Sequence, residues 1–304
     1  MFQFNDYLRI CREHQNLTQS ELVTALCVYD KTFESLDTNT LSRWERGVSK
    51  PSLSKQTLLV HYFSESFDRI YPFIEQAERI EIEKSFCAIG FSKMLGRHKL
   101  VMAFPCQHMD KSRFLIKLIQ DSHLKQSAIS KNLLIFQEMY NLPLSSDTLQ
   151  KMANIPSNHF SVCEYDSEYY GHFFALKLKP SVFEQTMNFL VDFNQLSEND
   201  IAKEDELGNY LFFGFFGMSD IVISILWVHF YSWVIKQQSH ILEMGAIITS
   251  KEGEMIAKNM NTEKYASLES KNRHYQSFRA TTKQMLITDN VVKMLFNPES
   301  CPEN

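Results

Sequence analysis

The chain has 304 residues, 44% of them hydrophobic and 22% charged, with 24 Phe against 9 Gly and 8 Pro and a net charge of −5. This composition excludes a disordered or low-complexity chain, and the length suits two domains with a substantial core. It also excludes a uniformly basic nucleic-acid binder: residues 1–65 carry seven Lys or Arg against eight Asp or Glu, so any such contact must come from local placement of charge. The six cysteines (Cys11, Cys27, Cys87, Cys106, Cys163, Cys301) form no CxxC pair, which suits a reducing compartment and predicts a cytoplasmic protein. The start, MFQFNDYLRI, lacks the basic and apolar runs of a signal peptide. The apolar run Ile221–Ile235 covers 15 residues, short of the about 20 a bilayer span needs, and reads as a buried helix with no membrane role.

The first predicted element is a helix over residues 4–15, with Phe4, Tyr7, Leu8 and Cys11 on one face. Thr18 followed by Glu21 ahead of an apolar run is a capping box that opens a second helix. A third runs from an Asp37 cap through Leu41 and Trp44 to Gly47, and Leu58, Leu59, Tyr62 and Phe63 mark a fourth. Phe67 to about Lys99 has helical spacing suited to a connector or dimerising helix, Leu100–Cys106 reads as a strand, and residues 111–153 read as mostly helical. The pattern then alternates: strand Tyr169–Lys179, helix Pro180–Phe193, strand Asn209–Gly217, apolar helix Asp220–Lys236, strand Ile241–Thr249, helix Ser250–Met260, and a last long strand Tyr275–Ile287. Such alternation predicts a sheet layered by helices.

The segments LRICREHQNLTQSEL (8–22) and TLSRWERGVSKPS (40–52) resemble the XRE family of repressors of the phage Cro type. That resemblance implies a helix-turn-helix whose third helix lies in the major groove. Thr38, Asn39, Ser42 and Arg43 would face bases, Asn39 suiting adenine and Arg43 guanine, with Thr40 a further DNA-binding candidate. Thr18 and Gln19, with Arg46 and Lys50, would meet phosphates. It also implies an ion pair between Arg12 and Glu45 with a structural role. Thr18 and Ser42 stand 24 positions apart, longer than the family's usual spacing, which places an insertion around Tyr29–Ser35.

The order strand, helix, strand, short helix, strand over 209–287 is similar to the second half of the GNAT acetyltransferase fold, with Ala246–Met260 in the place of its fifth strand and following helix. That family holds the acyl-CoA pyrophosphate with an (Arg/Gln)-x-x-Gly-x-(Gly/Ala) loop at a helix N-terminus. Here the junction reads Gly214-Phe-Phe-Gly217-Met218-Ser219-Asp220, without the leading Arg or Gln and with an Asp set against phosphate. The family's acidic Tyr falls near Ile256. Cys106-x-His108-x-Asp110 offers three ligand types with no second cluster at a fixed spacing.

The expected architecture is therefore α+β: a helix-turn-helix domain (1–65), a helical connector (66–100) and a mixed α/β, GNAT-like domain (101–304). The expected function is a sequence-specific transcription regulator, not an enzyme, with no catalytic residues, no metal and no cofactor. Its expected partners are a palindromic operator in double-stranded DNA, a second copy of the chain in a homodimer, and a small apolar ligand sensed by the larger domain. The alternatives are an acyl-CoA-dependent acetyltransferase fused to a DNA-binding domain, or a DNA-binding antitoxin or adaptor.

Overall fold

A computed structural model of the chain describes residues 3–63, 113–140, 145–270 and 273–286. These divide into two units, one holding residues 3–63 and the other 113–285.

The first unit is all helical: α1 (Phe4–His14), α2 (Gln19–Tyr29), α3 (Thr38–Glu45) and α4 (Leu53–Tyr62). The apolar stripe of α1 is buried at Phe4, Tyr7, Leu8 and Cys11, as its spacing requires. At the start of α2, Thr18 Oγ1 accepts from the Glu21 N–H at 3.2 Å and the Glu21 carboxylate accepts from the Thr18 N–H at 2.8 Å. Asp37 caps α3 by accepting from the Thr40 N–H at 2.6 Å, and Gly47 ends it at φ +69°, a conformation that favours glycine. The insertion folds as a single 3-10 turn over Lys31–Phe33 that Asp30 caps at the Thr32 N–H, 2.7 Å away. It buries Phe33 and Leu36, so the extra residues enlarge the core.

The second unit is built on a seven-stranded sheet in the order β1-β2-β3-β4-β5-β7-β6. Its strands are β1 (Phe114–Leu118), β2 (His159–Tyr165), β3 (Glu168–Leu178), β4 (Gly208–Gly217), β5 (Ile241–Ile248), β6 (Glu263–Ser270) and β7 (Arg273–Thr281). Every neighbouring pair is antiparallel except β4 and β5. The helices are α5 (Lys125–Tyr140), α6 (Ser146–Met152), α7 (Pro180–Met187), α8 (Asp220–Lys236), α9 (Lys251–Asn259) and α10 (Thr282–Leu286). On one face, Phe136 of α5 and Phe193 after α7 meet Phe213 of β4 at ring distances of 5.0 and 5.5 Å. On the other, Trp227 and Phe230 of α8 meet Phe173 and Phe212 at 4.6–5.4 Å. Each such ring contributes about 1.5–3 kcal/mol by leaving water. Among the described residues no helix is long and apolar enough to cross a membrane.

Three expectations need correction. β1 lies in the stretch expected to be mostly helical, while β2 and β6 were not expected at all. The last strand ends at Thr281 and turns into α10, where Thr282 Oγ1 donates to the Ile241 carbonyl at 2.9 Å. β2 is short and buried on both faces, its polar His159, Ser161 and Glu164 included, and β6 is a polar edge strand. The helix expected from Phe67 to Lys99, the strand Leu100–Cys106 and the trio Cys106, His108 and Asp110 lie outside the described residues.

Candidate functional site

The parallel pair is where the sheet opens. The β4–β5 ladder ends at Phe212 with Ala246. Beyond it, β4 continues along β3 as far as Gly217, while β5 continues along β7 as far as Ile248. The two strands therefore part at their carboxyl ends, the position where open sheets with parallel strands bind ligands. The residues after β4 close on Ser219, whose hydroxyl accepts from the Val222 N–H at 3.3 Å and starts the 17-residue helix α8. The N-terminus of such a helix favours electron-rich groups.

A bulge shapes the cleft. The β3–β4 register shifts between Phe174, opposite Gly214, and Ala175, opposite Phe212. Phe213 is the extra residue, and it turns to the same side as its neighbour: Phe213 packs on Phe136 and Gly214 lies under Asn132 of α5. A Cβ at Gly214 would collide with Asn132 Oδ1, with Cγ 3.1 Å and Nδ2 3.5 Å from the same point. Glycine is required here by close approach.

Asn132 belongs to a buried polar chain. Tyr169 donates its hydroxyl to His172 Nδ1 at 2.6 Å, and His172 Nε2 lies 3.1 Å from Asn132 Oδ1. Since Oδ1 can only accept, Nε2 carries the ring proton. Burial, with the Lys131 charge second, pushes His172 down to about 3, so the imidazole is neutral. Burial holds the Tyr169 hydroxyl well above the ordinary phenol value. Lys131 Nζ sits 3.8 Å over the Tyr169 ring and bonds Ser127 Oγ at 2.9 Å, and its own burial lowers its pKa. None of Asn132, Tyr169, His172 or Lys131 was singled out from the sequence. They come from α5 and β3, and Asn132 and His172 are 40 positions apart, beyond any motif spacing.

On the α8 face, His159 of β2 is fully buried among Phe173, His229, Phe230 and Trp233, with ring distances of 5.2–6.0 Å. Burial, then the charge of His229, pushes its pKa well below the ordinary value. At the β5–β7 end, Arg279 stacks 3.6 Å over Tyr265 and bonds Glu184 at 2.6 Å and Glu243 at 3.4 Å. Ile256 is buried, so the place expected for an acidic Tyr carries no hydroxyl.

The residues expected to meet DNA lie in the first unit, which contains none of the cleft residues. Thr38, Asn39, Arg43, Arg46 and Lys50 are exposed, Thr40 and Ser42 half-buried, and Thr18 exposed at the α2 cap. Gln19 Nε2 is engaged, donating to Glu45 Oε2 at 2.7 Å. Arg12 makes the expected ion pair, reaching Glu45 through Nε at 2.6 Å and Nη2 at 3.1 Å.

No family model matches the sequence, and no curated protein matches it. Solved structures similar to part of the chain include FeeM, an N-acyl amino acid synthase from uncultured soil microbes, at 9% identity over 56% of this chain and 91% of that one, TM-score 0.39. Arabidopsis thaliana NAA60 in complex with a bisubstrate analogue matches at 10% identity over 55% and 97%, TM-score 0.38. A probable acetyltransferase from Staphylococcus epidermidis matches at 12% identity over 56% and 99%, TM-score 0.38. The larger unit is a mixed α/β fold on a seven-stranded sheet. The expectation that the chain is not an enzyme runs against the descriptions of these neighbours, a synthase and a probable acetyltransferase.

Proposed function

We propose that the larger unit is an acyl-CoA-dependent N-acyltransferase. The observation that carries this reading is the parting of β4 and β5 beyond Phe212 and Ala246. Beyond that pair the facing backbone groups of the two strands are not bonded to each other, and an extended pantetheine arm with its two amides could pair with them by backbone hydrogen bonding. The α8 N-terminus at Ser219 stands at the same end of β4. The junction Gly214–Asp220 carries no Arg or Lys, so donor recognition rests on the arm and the acyl group more than on the pyrophosphate. In the transfer, an amine nitrogen of the acceptor attacks the thioester carbonyl carbon and a C–N bond forms. The C–S bond then breaks, and the thiolate leaves and takes up the proton that the amine loses. His172, neutral and fully engaged by Tyr169 and Asn132, serves to hold geometry, and the acceptor amine enters in its unprotonated form.

The test is calorimetric titration of the full chain with acetyl-CoA and longer acyl-CoAs, followed by thiol release in the presence of a panel of amines and amino acids. Saturable binding with amine-dependent thiol release is expected. Absence of binding at millimolar donor sinks the reading.

A DNA-binding role for the first unit is a second proposal, favoured by the exposure of Thr38, Asn39 and Arg43 on α3 while Leu41 and Trp44 of the same helix are buried. Thr40, Ser42, Arg46, Lys50, Thr18 and Gln19 complete the proposed face, which would read a palindromic operator as a dimer. Selection from a random duplex pool at fixed salt tests it. Wild type should enrich a palindrome that Arg43→Ala no longer prefers, and recovery of no motif would refute it.

A further inference from the structure

Asn132 is 1% exposed, and its Nδ2 has no hydrogen-bond partner among the described residues. A buried amide NH2 left without an acceptor is destabilising, and proteins seldom retain one. Its neighbours hold it in this pose. The Tyr169 hydroxyl fixes the His172 tautomer, and His172 Nε2–H engages Asn132 Oδ1. With Oδ1 occupied, the NH2 keeps its direction. The amide lies over Gly214, in the bulge just beyond the last β4–β5 pair, and the missing side chain there lets it come close to the strand.

We infer that the Asn132 NH2 is the hydrogen-bond donor to the carbonyl oxygen of the donor thioester, with His172 and Tyr169 as positioning residues. The inference rests on the acyl-CoA reading above. When the amine attacks, the carbonyl π pair moves onto oxygen, and it returns when the C–S bond breaks. A donor held in place beforehand and shielded from water stabilises the charge while it lasts. The amide is neutral throughout and transfers no proton.

The acceptor amine need not be known for the test. Acetyl-CoA labelled with ¹³C at its carbonyl is bound to the full chain, and the carbonyl stretch is read by difference infrared spectroscopy. Wild type should show the stretch at lower wavenumber than Asn132→Ala, with donor affinity changed by less than about fivefold, the worth of one ordinary hydrogen bond. His172→Phe, which removes the N–H that holds Oδ1, should move the stretch in the same direction as Asn132→Ala. Identical stretches in wild type and Asn132→Ala, with donor bound to both, overturn this inference and leave the acyl-CoA reading standing. An unchanged stretch in His172→Phe overturns the positioning role. Failure of wild type to bind acetyl-CoA overturns both readings. If Asn132→Ala does not fold, wild type decides alone, through its affinity for acetyl-CoA against the thioether S-ethyl-CoA, which lacks the carbonyl oxygen. Acetyl-CoA should bind about fivefold tighter, and equal affinity overturns the inference. Once an acceptor is found, Asn132→Ala should lower kcat about 100-fold with little change in donor KM.

Discussion

Two buried polar sites, one in each unit, differ in how far they are satisfied, although the sheet unit also holds a satisfied carboxylate in Glu164, which accepts from Lys117 and Ser122. In the helical unit the one buried carboxylate, Glu45, is 4% exposed and receives three donors: Arg12 Nε, Arg12 Nη2 and Gln19 Nε2. Arg12 spends a further N–H on the Leu17 carbonyl at 2.9 Å. In the sheet unit, Asn132 keeps one end of its amide unmet among the described residues, where both nitrogens of the buried His159 also lack hydrogen-bond partners. A completed network ties α1, α2 and α3 into one arrangement. An incomplete one is a standing cost that a ligand can relieve. The contrast places structural work on Arg12 and Glu45 and chemistry on the strand side of α5.

The largest effect that would test this contrast is in the helical unit. Glu45→Ala leaves the Arg12 guanidinium, 13% exposed, without its carboxylate, and breaking such a pair from one side costs about 3–5 kcal/mol. Chemical denaturation of the full chain should show early loss of the helical unit. Unchanged stability would mean that the network is ornamental and that satisfaction of polar groups does not separate the two units.

Next in size is acid sensitivity, which belongs to the sheet unit. His172 is held at about 3 when folded, against an unfolded value near 6.5. A depressed histidine means the unfolded chain binds a proton that the folded chain refuses. The contribution is therefore complete above about pH 6.5 and shrinks as pH falls toward the folded value, by about 1.4 kcal/mol per pH unit. Between pH 6.5 and 4.5 the loss from His172 is about 2.3 kcal/mol, and His159 adds to it in the same direction. Stability measured against pH in wild type and His172→Gln should differ in slope by one proton across this window. Equal slopes would show that His172 is charged or solvated in the fold.

The same division between local and distant causes decides what could be read in the chain itself. The helical unit was legible because its signals are local: Thr18 with Glu21, the Asp37 cap, Gly47, and the stripe Phe4, Tyr7, Leu8, Cys11. Helix α8 was legible through its apolar run, with its limits Asp220 and Lys236 as expected. β2 was not, since His159–Tyr165 is short and its polar His159, Ser161 and Glu164 are buried instead of facing water, and neither was β6, whose polar edge pattern looks like a loop. The cleft was read only as a degenerate loop at Gly214–Asp220. The chain Tyr169–His172–Asn132 is a product of strand pairing and helix docking, and Gly214 gains its meaning only when Asn132 is known to lie over it.

A pair of glycines sharpens the comparison at intermediate size. Gly214→Ala drives a methyl into the Asn132 amide and should cost about 1–3 kcal/mol by overpacking, with loss of acyl transfer. Gly47→Ala meets only Asn5, at 3.6 Å or more, and its cost comes from φ +69°, about 1–2 kcal/mol for a left-handed residue, with acyl transfer unchanged. Loss of transfer in both variants would remove the distinction between a glycine needed for room and one needed for its backbone.

The smallest effect compares two caps of the same chemistry. Thr18 caps α2 within a reciprocal box, bonded to Glu21 through both its hydroxyl and its N–H. Ser219 caps α8 through one longer bond to the Val222 N–H at 3.3 Å. Helix α2 has 11 residues and buries two of them, Leu22 and Leu26, so its end depends on the cap. Helix α8 buries Val222, Ile223, Leu226, Trp227 and Phe230 within its first eleven positions and is held by packing. Thr18→Ala should therefore cost about 1 kcal/mol, and Ser219→Ala nearer 0.5 kcal/mol, within the range measured for N-caps. The stability order and the functional order should be reversed, because Ser219 stands at the cleft and Thr18 does not. Ser219→Ala should weaken acyl-CoA binding by a few-fold, through loss of a fixed α8 N-terminus, while Thr18→Ala leaves it unchanged. If Ser219→Ala destabilises the chain more than Thr18→Ala and leaves donor affinity as it was, α8 begins at a structural cap and the donor lies elsewhere along β4.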